Sequence, residues 1–347
     1  MKQHRRKASG DGGPHIVAIG GGTGLSTMLR GLKHYSRNIT AIVTMADDGG
    51  SSGLLRKDLG MPPPGDLRNC LQALANVEPI MSELLSYRFQ DGSLAGQSFG
   101  NLFLAALDGI SPSFEEAVER MNQILAVTGR VLPVTDKNVE IIAELENGTS
   151  VRGESKIFAF KKEQHCRIRR LRMEPERPPA LPKALEAIAD ADVIILGPGS
   201  LYTSIIPNFL VDGISEAVAA SKAKKLLIMN IMTQEGETEE YTLSEHIQAL
   251  YDHGVPNMID VCLANSDAVP EEIQQRYRFE NAEPMEVDGR AVRKLGMDLI
   301  CEPMAGDWST LKARHDPEKL AQAIMNTVQA RCVRTWTSTG IRYVKEH

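Results

Sequence analysis

Cysteine is scarce in this sequence and is never clustered. The five residues Cys70, Cys166, Cys262, Cys301 and Cys332 lie far apart, with no C-x-x-C pair. Neither a disulfide framework nor a cysteine zinc site follows, and reduced thiols in a cytoplasmic protein are expected. The eight histidines include no H-E-x-x-H or H-x-x-x-H, so the helical zinc motifs are excluded. Basic excess is also missing: 39 Lys plus Arg face 45 Asp plus Glu, a formal charge of −6, which argues against a dedicated nucleic-acid binder. Residues 193–211 carry no charge, but Gly197-Pro198-Gly199-Ser200 and Pro207-Asn208 break the run. It reads as a short buried strand, a tight loop and a turn, not a membrane span. The basic start, MKQHRRKASGDGGPH, has no apolar h-region behind it and so is no secretory signal. Residues 1–13 are expected to form a disordered tail, and residues 14–347 a single domain.

What remains is an ordinary globular composition, 42% hydrophobic and 24% charged. The run HIVAI followed by GGGTG and LSTMLRGLKHY reads as strand, glycine loop and helix. ITAIVTM is a second strand within one βαβ length, ending in ADDGGSSG. A Pro-rich stretch leads into the helical spacing of CLQALANV. Further helices are expected over residues 79–89 and 113–125, the latter with Ser113 and Glu116 in capping-box positions. From about 139 to 179 the character changes. VEIIAELENGTSVRGESKIFAF alternates around Asn147-Gly148, a strong hairpin signal. RIRRLRMEP then reads as a strand with one wet, Arg-rich face, favoured over a polyanion patch. After Pro182 helices alternate with the strands DVIIL, KLLIMNI and IDVCLAN, and TQEGETEEYTLSEHIQALYDHG carries a long helix. The last helix has Asp316 as N-cap and Pro317 at its first position. This order predicts a mostly parallel, doubly wound α/β sheet with an antiparallel hairpin insert.

Ligands bind such sheets outside the carboxyl ends of the strands, where the small-residue loops fall. Gly21, Gly22, Thr23 and Gly24 can lie close to a phosphate at a helix N-terminus. Leu25 occupies the third glycine position of G-x-G-x-x-G, and the Lys of a Walker A loop is absent, so a standard dinucleotide or P-loop site does not follow. No G-x-S-x-G elbow marks a hydrolase. Asp47 and Asp48 suit a ribose hydroxyl, a divalent cation or general-base work, with plain turn chemistry as the bland alternative. Ser51 and Ser52 extend that second loop. Asp66 is either a helix cap or a site residue, and Arg68 suits a phosphate. Gly199 and Ser200, the latter read as a cap and donor, form a third loop. Arg314-His315-Asp316 precedes the last helix.

Together, IVAIGGGTGLSTMLRGLK, VTMADDGGSSGLLR, PPGDLRNCLQALA, GQSFGNLFLAAL, ILGPGSLYTSIIPN and NIMTQEGET resemble the YvcK-like proteins, or gluconeogenesis factors. These share a superfamily with the 2-phospho-lactate transferases (CofD). The resemblance implies a Rossmann-like three-layer sheet in a cytoplasmic protein that binds UDP-N-acetylglucosamine or UDP-glucose. It implies a sensor or regulatory role in cell shape and envelope synthesis during gluconeogenic growth, without established catalysis. The expected ligand set adds Asn69 and Asn101, which stand in those motifs, to the residues above. Arg314 matches an Arg tied to UDP-sugar binding in the YvcK-like group. Some relatives carry Thr after the His-Asp, where Pro317 stands here. The CofD relatives transfer a phospholactyl group from a nucleotide-linked donor, which implies the alternative of a transferase using Asp47 or Asp48 with Mg²⁺. A homo-oligomer and an envelope-synthesis or regulatory protein partner are further expectations. An NAD-dependent oxidoreductase is disfavoured by the missing fingerprint.

Overall fold

The structure, a computed structural model, describes residues 12–164, 166–255, 259–329, 334–337 and 340–343. Residues 1–11 of the expected tail, and Cys332, lie outside the described residues. Gly12 and Gly13, placed in that tail by the sequence reading, are instead tied down. The Gly12 carbonyl accepts from Arg37 N–H at 2.7 Å, and the Gly13 carbonyl from the Asn38 amide at 2.8 Å.

The first half of the chain contains β1 (Ile16–Gly20), α1 (Gly22–Leu32), β2 (Ile39–Val43), α2 (Gly50–Leu59), α3 (Gly65–Leu74), α4 (Pro79–Ser86), α5 (Phe99–Gly109), α6 (Phe114–Ile124) and β3 (Arg130–Pro133). The insert follows, as β4 (Glu140–Leu145), β5 (Ser150–Arg152), α7 (Glu154–Gln164) and β6 (Ile168–Glu174). The second half runs through α8 (Pro182–Asp190), β7 (Val193–Leu196), α9 (Ile206–Phe209), α10 (Ile214–Ala220), β8 (Lys224–Ile228), α11 (Leu243–Asp252), β9 (Val261–Asn265), α12 (Glu271–Arg278), α13 (Gly289–Lys294), β10 (Asp298–Glu302) and α14 (Pro317–Gln329). It closes with a ribbon of β11 (Arg334–Thr337) and β12 (Gly340–Tyr343).

Seven strands form one parallel sheet in the order β10-β9-β8-β7-β1-β2-β3. Strands β1 and β2 are buried along their whole length, as helices on both faces require of a parallel sheet. The winding reverses between β1 and β7. Sequence order leads outward through β2 and β3 on one side and through β8, β9 and β10 on the other, so the crevice lies at the carboxyl ends of β1 and β7. This is the expected doubly wound fold. Among the described residues no helix is long and apolar enough to cross a membrane, and Cys70, Cys166, Cys262 and Cys301 are free thiols.

The insert is a three-stranded antiparallel sheet, β5-β4-β6, turned at Asn147-Gly148 as predicted. The outer face of β6 is wet, and Arg169 and Arg172 there pair with Glu144. One part differs from the sequence reading. ESKIFAF was taken as part of the hairpin but belongs to helix α7. Gly153, at φ +93°, ends the strand in a conformation that β-sheet does not use, and Ile157 is the side chain of the new helix that reaches the core. The helix expected over residues 233–254 is also shorter. Only Leu243–Asp252 is helical, started by a full capping box between Thr242 and Glu245, while residues 233–241 fold back as a loop. The second small-residue loop is shorter than expected, because Gly50, Ser51 and Ser52 already belong to helix α2; strands β3, β10, β11 and β12 and helices α2, α5, α9, α12 and α13 have no counterpart in the sequence reading.

Candidate functional site

Two adjoining hollows lie over the carboxyl ends of the central strands. The first, about 300 Å³, is lined by residues 21–24 and 198–200, Ser204, residues 230–234 and residues 313–315. Its base is the N-terminus of α1. Gly21 is an extended N-cap without a side chain; the Asp66 carboxylate takes the Gly22 N–H, and the other orphan N–H groups of the first turn and the positive end of the helix dipole are left for an anion. Glycine is needed at 24 because of a close approach. A Cβ there would lie 2.6 Å from the Pro198 carbonyl oxygen, so the two loops can be this near only without a side chain. Asn230, at the end of β8, clamps the second loop. Its Oδ1 accepts from Gly199 N–H at 3.1 Å and its Nδ2 donates to the Gly199 carbonyl at 2.9 Å. Arg314 joins the lining of the same cleft from late in the chain.

The second hollow, about 330 Å³, is acidic: Asp47, Glu154 and Glu237 line it with Gly49, Ser155, Phe158, Ser200, Thr203 and Gln234. Ser200 and Gln234 line both hollows, and Ser200 Oγ donates to Gln234 Oε1 at 2.8 Å. Burial raises the Asp47 pKa above the usual carboxylate range. Burial, then the charge of Asp47, pushes Asp66 up to about 7. Glu154 rises to about 9, first through burial and then through the charges of Asp47 and Asp66. Glu237 is anchored, accepting from Tyr202 N–H at 3.0 Å and Thr203 Oγ1 at 2.7 Å. A patch whose carboxyls repel each other takes up protons or cations readily. Among the described residues no group of three or more His, Cys, Asp or Glu is positioned to hold a metal ion.

The residues singled out from sequence are placed differently. Gly21, Gly22, Thr23, Gly24, Gly199, Ser200 and Arg314 share the first hollow. Asp47 lines the second. Asp48 faces the insert, where its carboxylate accepts from Ser155 N–H at 2.8 Å and holds the start of α7. Ser51, Ser52, Arg68 and Asn101 form the scaffold behind the loop. Ser51 Oγ accepts from the Asn101 amide at 3.2 Å, and Asn101 Oδ1 accepts from Arg68 Nε at 3.3 Å. Ser52 supports Asp47. Asn69 lines neither hollow.

Two cap readings are corrected. Asp66 is not the cap of α3, which starts at Gly65 after Pro64; its carboxylate accepts from Gly22 N–H instead, tying α3 to the glycine loop. Ser200 makes no capping bond, because its hydroxyl is spent on Gln234. Gly65 is required where it stands, since a Cβ would fall 2.4 Å from Ser52 Oγ and 2.5 Å from Asp47 Oδ2. Glu154, Asn230, Gln234 and Glu237 escaped sequence reading, whereas His315, named there with Arg314, does line the first hollow. NIMTQEGET did mark the strand end that supplies three of them, whereas Glu154 stands in the insert, 107 positions beyond Asp47.

A doubly wound sheet with two glycine loops and an arginine around one cleft at its switch point defines a Rossmann-like α/β protein. The sequence profile described as 2-phospho-L-lactate transferase CofD matches residues 16–305, and the chain belongs to that family. It is similar to the gluconeogenesis factor of Bacillus subtilis, 46% identical over 317 residues, 91% of this chain and 98% of that protein. It is 51% identical over 317 residues to a putative gluconeogenesis factor of Thermoanaerobacterium thermosulfurigenes, with 91% and 98% covered. A crystal structure of a UPF0052-family protein from Bacillus halodurans superposes with a TM-score of 0.85 at 44% identity, covering 89% of this chain and 99% of that one.

Proposed function

We propose that this protein binds a UDP-sugar, UDP-N-acetylglucosamine or UDP-glucose, with the diphosphate over residues 21–24 and 198–200 and against Arg314. The observation that carries the reading is the convergence of a helix N-terminus with a bare glycine cap, a second glycine loop and an arginine on one cleft at the switch point. Backbone N–H groups and a bidentate guanidinium complement a diphosphate. In this reading the protein is a cytoplasmic, homo-oligomeric sensor of envelope-precursor supply that acts on cell shape through a protein partner. The printed names of its relatives, gluconeogenesis factors, support a metabolic role of that kind.

The acidic hollow favours a second reading. The shared Ser200 and Gln234 place Asp47 and Glu154 beside the proposed phosphate site, a layout suited to phospholactyl-type transfer from a nucleotide-linked donor. High-pKa carboxyls there would exchange protons with an acceptor hydroxyl. Calorimetric titration with UDP- and GDP-linked ligands, followed by product analysis after long incubation, separates the two. Tight UDP-sugar binding with ligand recovered intact supports the sensor; turnover of a GDP-linked donor supports the transferase. Absence of binding to any nucleotide sinks both.

A further inference from the structure

The second hollow holds an apolar feature that the acidic side chains around it do not explain. Phe158, on helix α7 of the insert, lines that hollow and is 40% exposed. Apolar surface left in water forfeits the gain of burial. Among the described residues lining the two hollows, Phe158 is the only aromatic one.

The ring is fixed from behind. A Cβ on Gly236 would lie 2.7 Å from its Cδ2 and 3.2 Å from its Cε2. One ring edge therefore rests directly on the backbone at 236, where φ is +78° and a side chain would be strained. Helix α7 is held in turn: Ser155 N–H donates to the Asp48 carboxylate at 2.8 Å, and Ile157, next to Phe158, is buried in the core. An exposed aromatic ring on a rigid backing is a preorganised stacking surface, which loses little freedom when a second ring covers it.

Position says what covers it. Gln234, two residues before Gly236, lines the first hollow as well, as does Ser200, so the ring stands one hollow away from the glycine loops. Asp47, Glu154 and Glu237 share the second hollow with it. A phosphate entering there would meet charge of its own sign; a neutral planar ring would not. In doubly wound nucleotide folds an acid about 20 residues past the glycine loop faces the ribose, and Asp47 takes that place here, beyond the end of β2. A nucleotide with its diphosphate over the glycine loops and its ribose at Asp47 carries its base on toward Phe158.

We propose that Phe158 is the stacking platform for the nucleobase of the bound nucleotide, so that the insert, through α7, completes the ligand site. The proposal rests on the nucleotide-sugar reading and adds to it where the base lies and what holds it.

The test is calorimetric titration of the full-length wild type, Phe158→Ala and Phe158→Tyr with UDP-N-acetylglucosamine, with UDP and with inorganic pyrophosphate. Loss of one base–aromatic stack corresponds to about a 5- to 150-fold fall in affinity. Phe158→Ala should lose that factor toward UDP-N-acetylglucosamine and equally toward UDP, with pyrophosphate unchanged. Phe158→Tyr, which keeps the ring, should bind all three as the wild type does. Unchanged UDP affinity in Phe158→Ala overturns the proposal. A loss confined to UDP-N-acetylglucosamine would put the sugar on the ring and overturns it too, as does equal weakening toward pyrophosphate, the mark of a merely structural ring. In each of these cases UDP-sugar binding by the wild type still stands. Wild-type protein that binds pyrophosphate but neither uridine nucleotide overturns the nucleotide-sugar reading, and the platform with it. Should Phe158→Ala fail to fold, nuclear Overhauser contacts between the uracil ring and phenylalanine ring protons, in wild-type protein deuterated elsewhere, decide. Their presence supports the stack, and their absence overturns it.

Discussion

Arg314 is the residue on which the diphosphate reading can be tested most directly. It lines the cleft beside residues 21–24, and bonds to a charged group contribute roughly 1.5–3 kcal/mol. Arg314→Ala should therefore weaken UDP-N-acetylglucosamine binding about 10- to 150-fold with little change in melting temperature; unchanged affinity would mean the guanidinium does not touch the ligand. Asp66 gives a pH prediction. Its folded pKa is about 7 against an ordinary 3.8, so the folded state keeps a proton that the unfolded chain has released above pH 4. The stability tied to that proton is present below pH 4 and is lost as pH rises through 7, at most about 4 kcal/mol and less where water reaches the carboxyl. Asp66→Asn should flatten the fall in stability between pH 5 and 8, measured by urea denaturation at fixed salt. A slope equal to wild type would place the proton elsewhere. Single residues were unevenly legible in sequence. The glycine loops announced themselves by composition, whereas Asp66 and Ser200 read as caps because local sequence cannot reveal that Gly22 and Gln234 are their partners.

At the scale of elements, the cleft depends on two loops held at contact distance. Gly24→Ala would set a methyl 2.6 Å from the Pro198 carbonyl, and relief of such overpacking costs about 1–3 kcal/mol. The expected outcome is a lower thermal midpoint together with weaker UDP-sugar binding, read by differential scanning fluorimetry with and without ligand. Loss of stability without loss of binding would show that the loop spacing does not matter to the ligand. Thr242→Ala removes the capping box of α11 and should cost about 1 kcal/mol in urea denaturation, with the first hollow unaffected because α11 does not line it. Elements with a local signature were readable in advance: the strand–glycine–helix start, the Asn147-Gly148 hairpin and the Asp316 cap. Helix α7 was not, because IFAF satisfies a strand pattern as well as a helical one. Gly153 and the contact of Asp48 with Ser155 decide between them.

For the whole molecule, the insert and the parallel sheet share one hydrophobic core. Ile141, Ala143, Leu145, Leu171 and Met173 belong to the same buried cluster as Ile16, Leu196 and Leu227. Polar ties reinforce it: Leu171 N–H donates to His253 Nε2 at 2.9 Å, and Arg167 pairs with Glu245 at 2.8 Å. The chain should therefore unfold in a single transition, with circular dichroism and tryptophan fluorescence superimposing. Two separated transitions would mean that the insert is a domain of its own. The size of the shared core is what makes this a statement about the molecule and not about any one contact.

The sequence by itself determined the α/β class, the insert's position, the three small-residue loops and the balance of charge. Each of these follows from periodicity, turn chemistry or composition within a window of some ten to twenty residues, the range over which side chains constrain their own backbone. Tertiary structure alone decided the order of the seven strands, and hence that residues 21–24 and 198–200 meet at the reversal between β1 and β7. It also gathered Asp47, Asp66 and Glu154 closely enough that burial and mutual repulsion raise their pKa values. The same long-range packing buried His315 and left its Nε2 without a partner among the described residues. Desolvation and Coulomb repulsion depend on distance in space, and residues more than a hundred positions apart become neighbours only when the sheet closes their elements together.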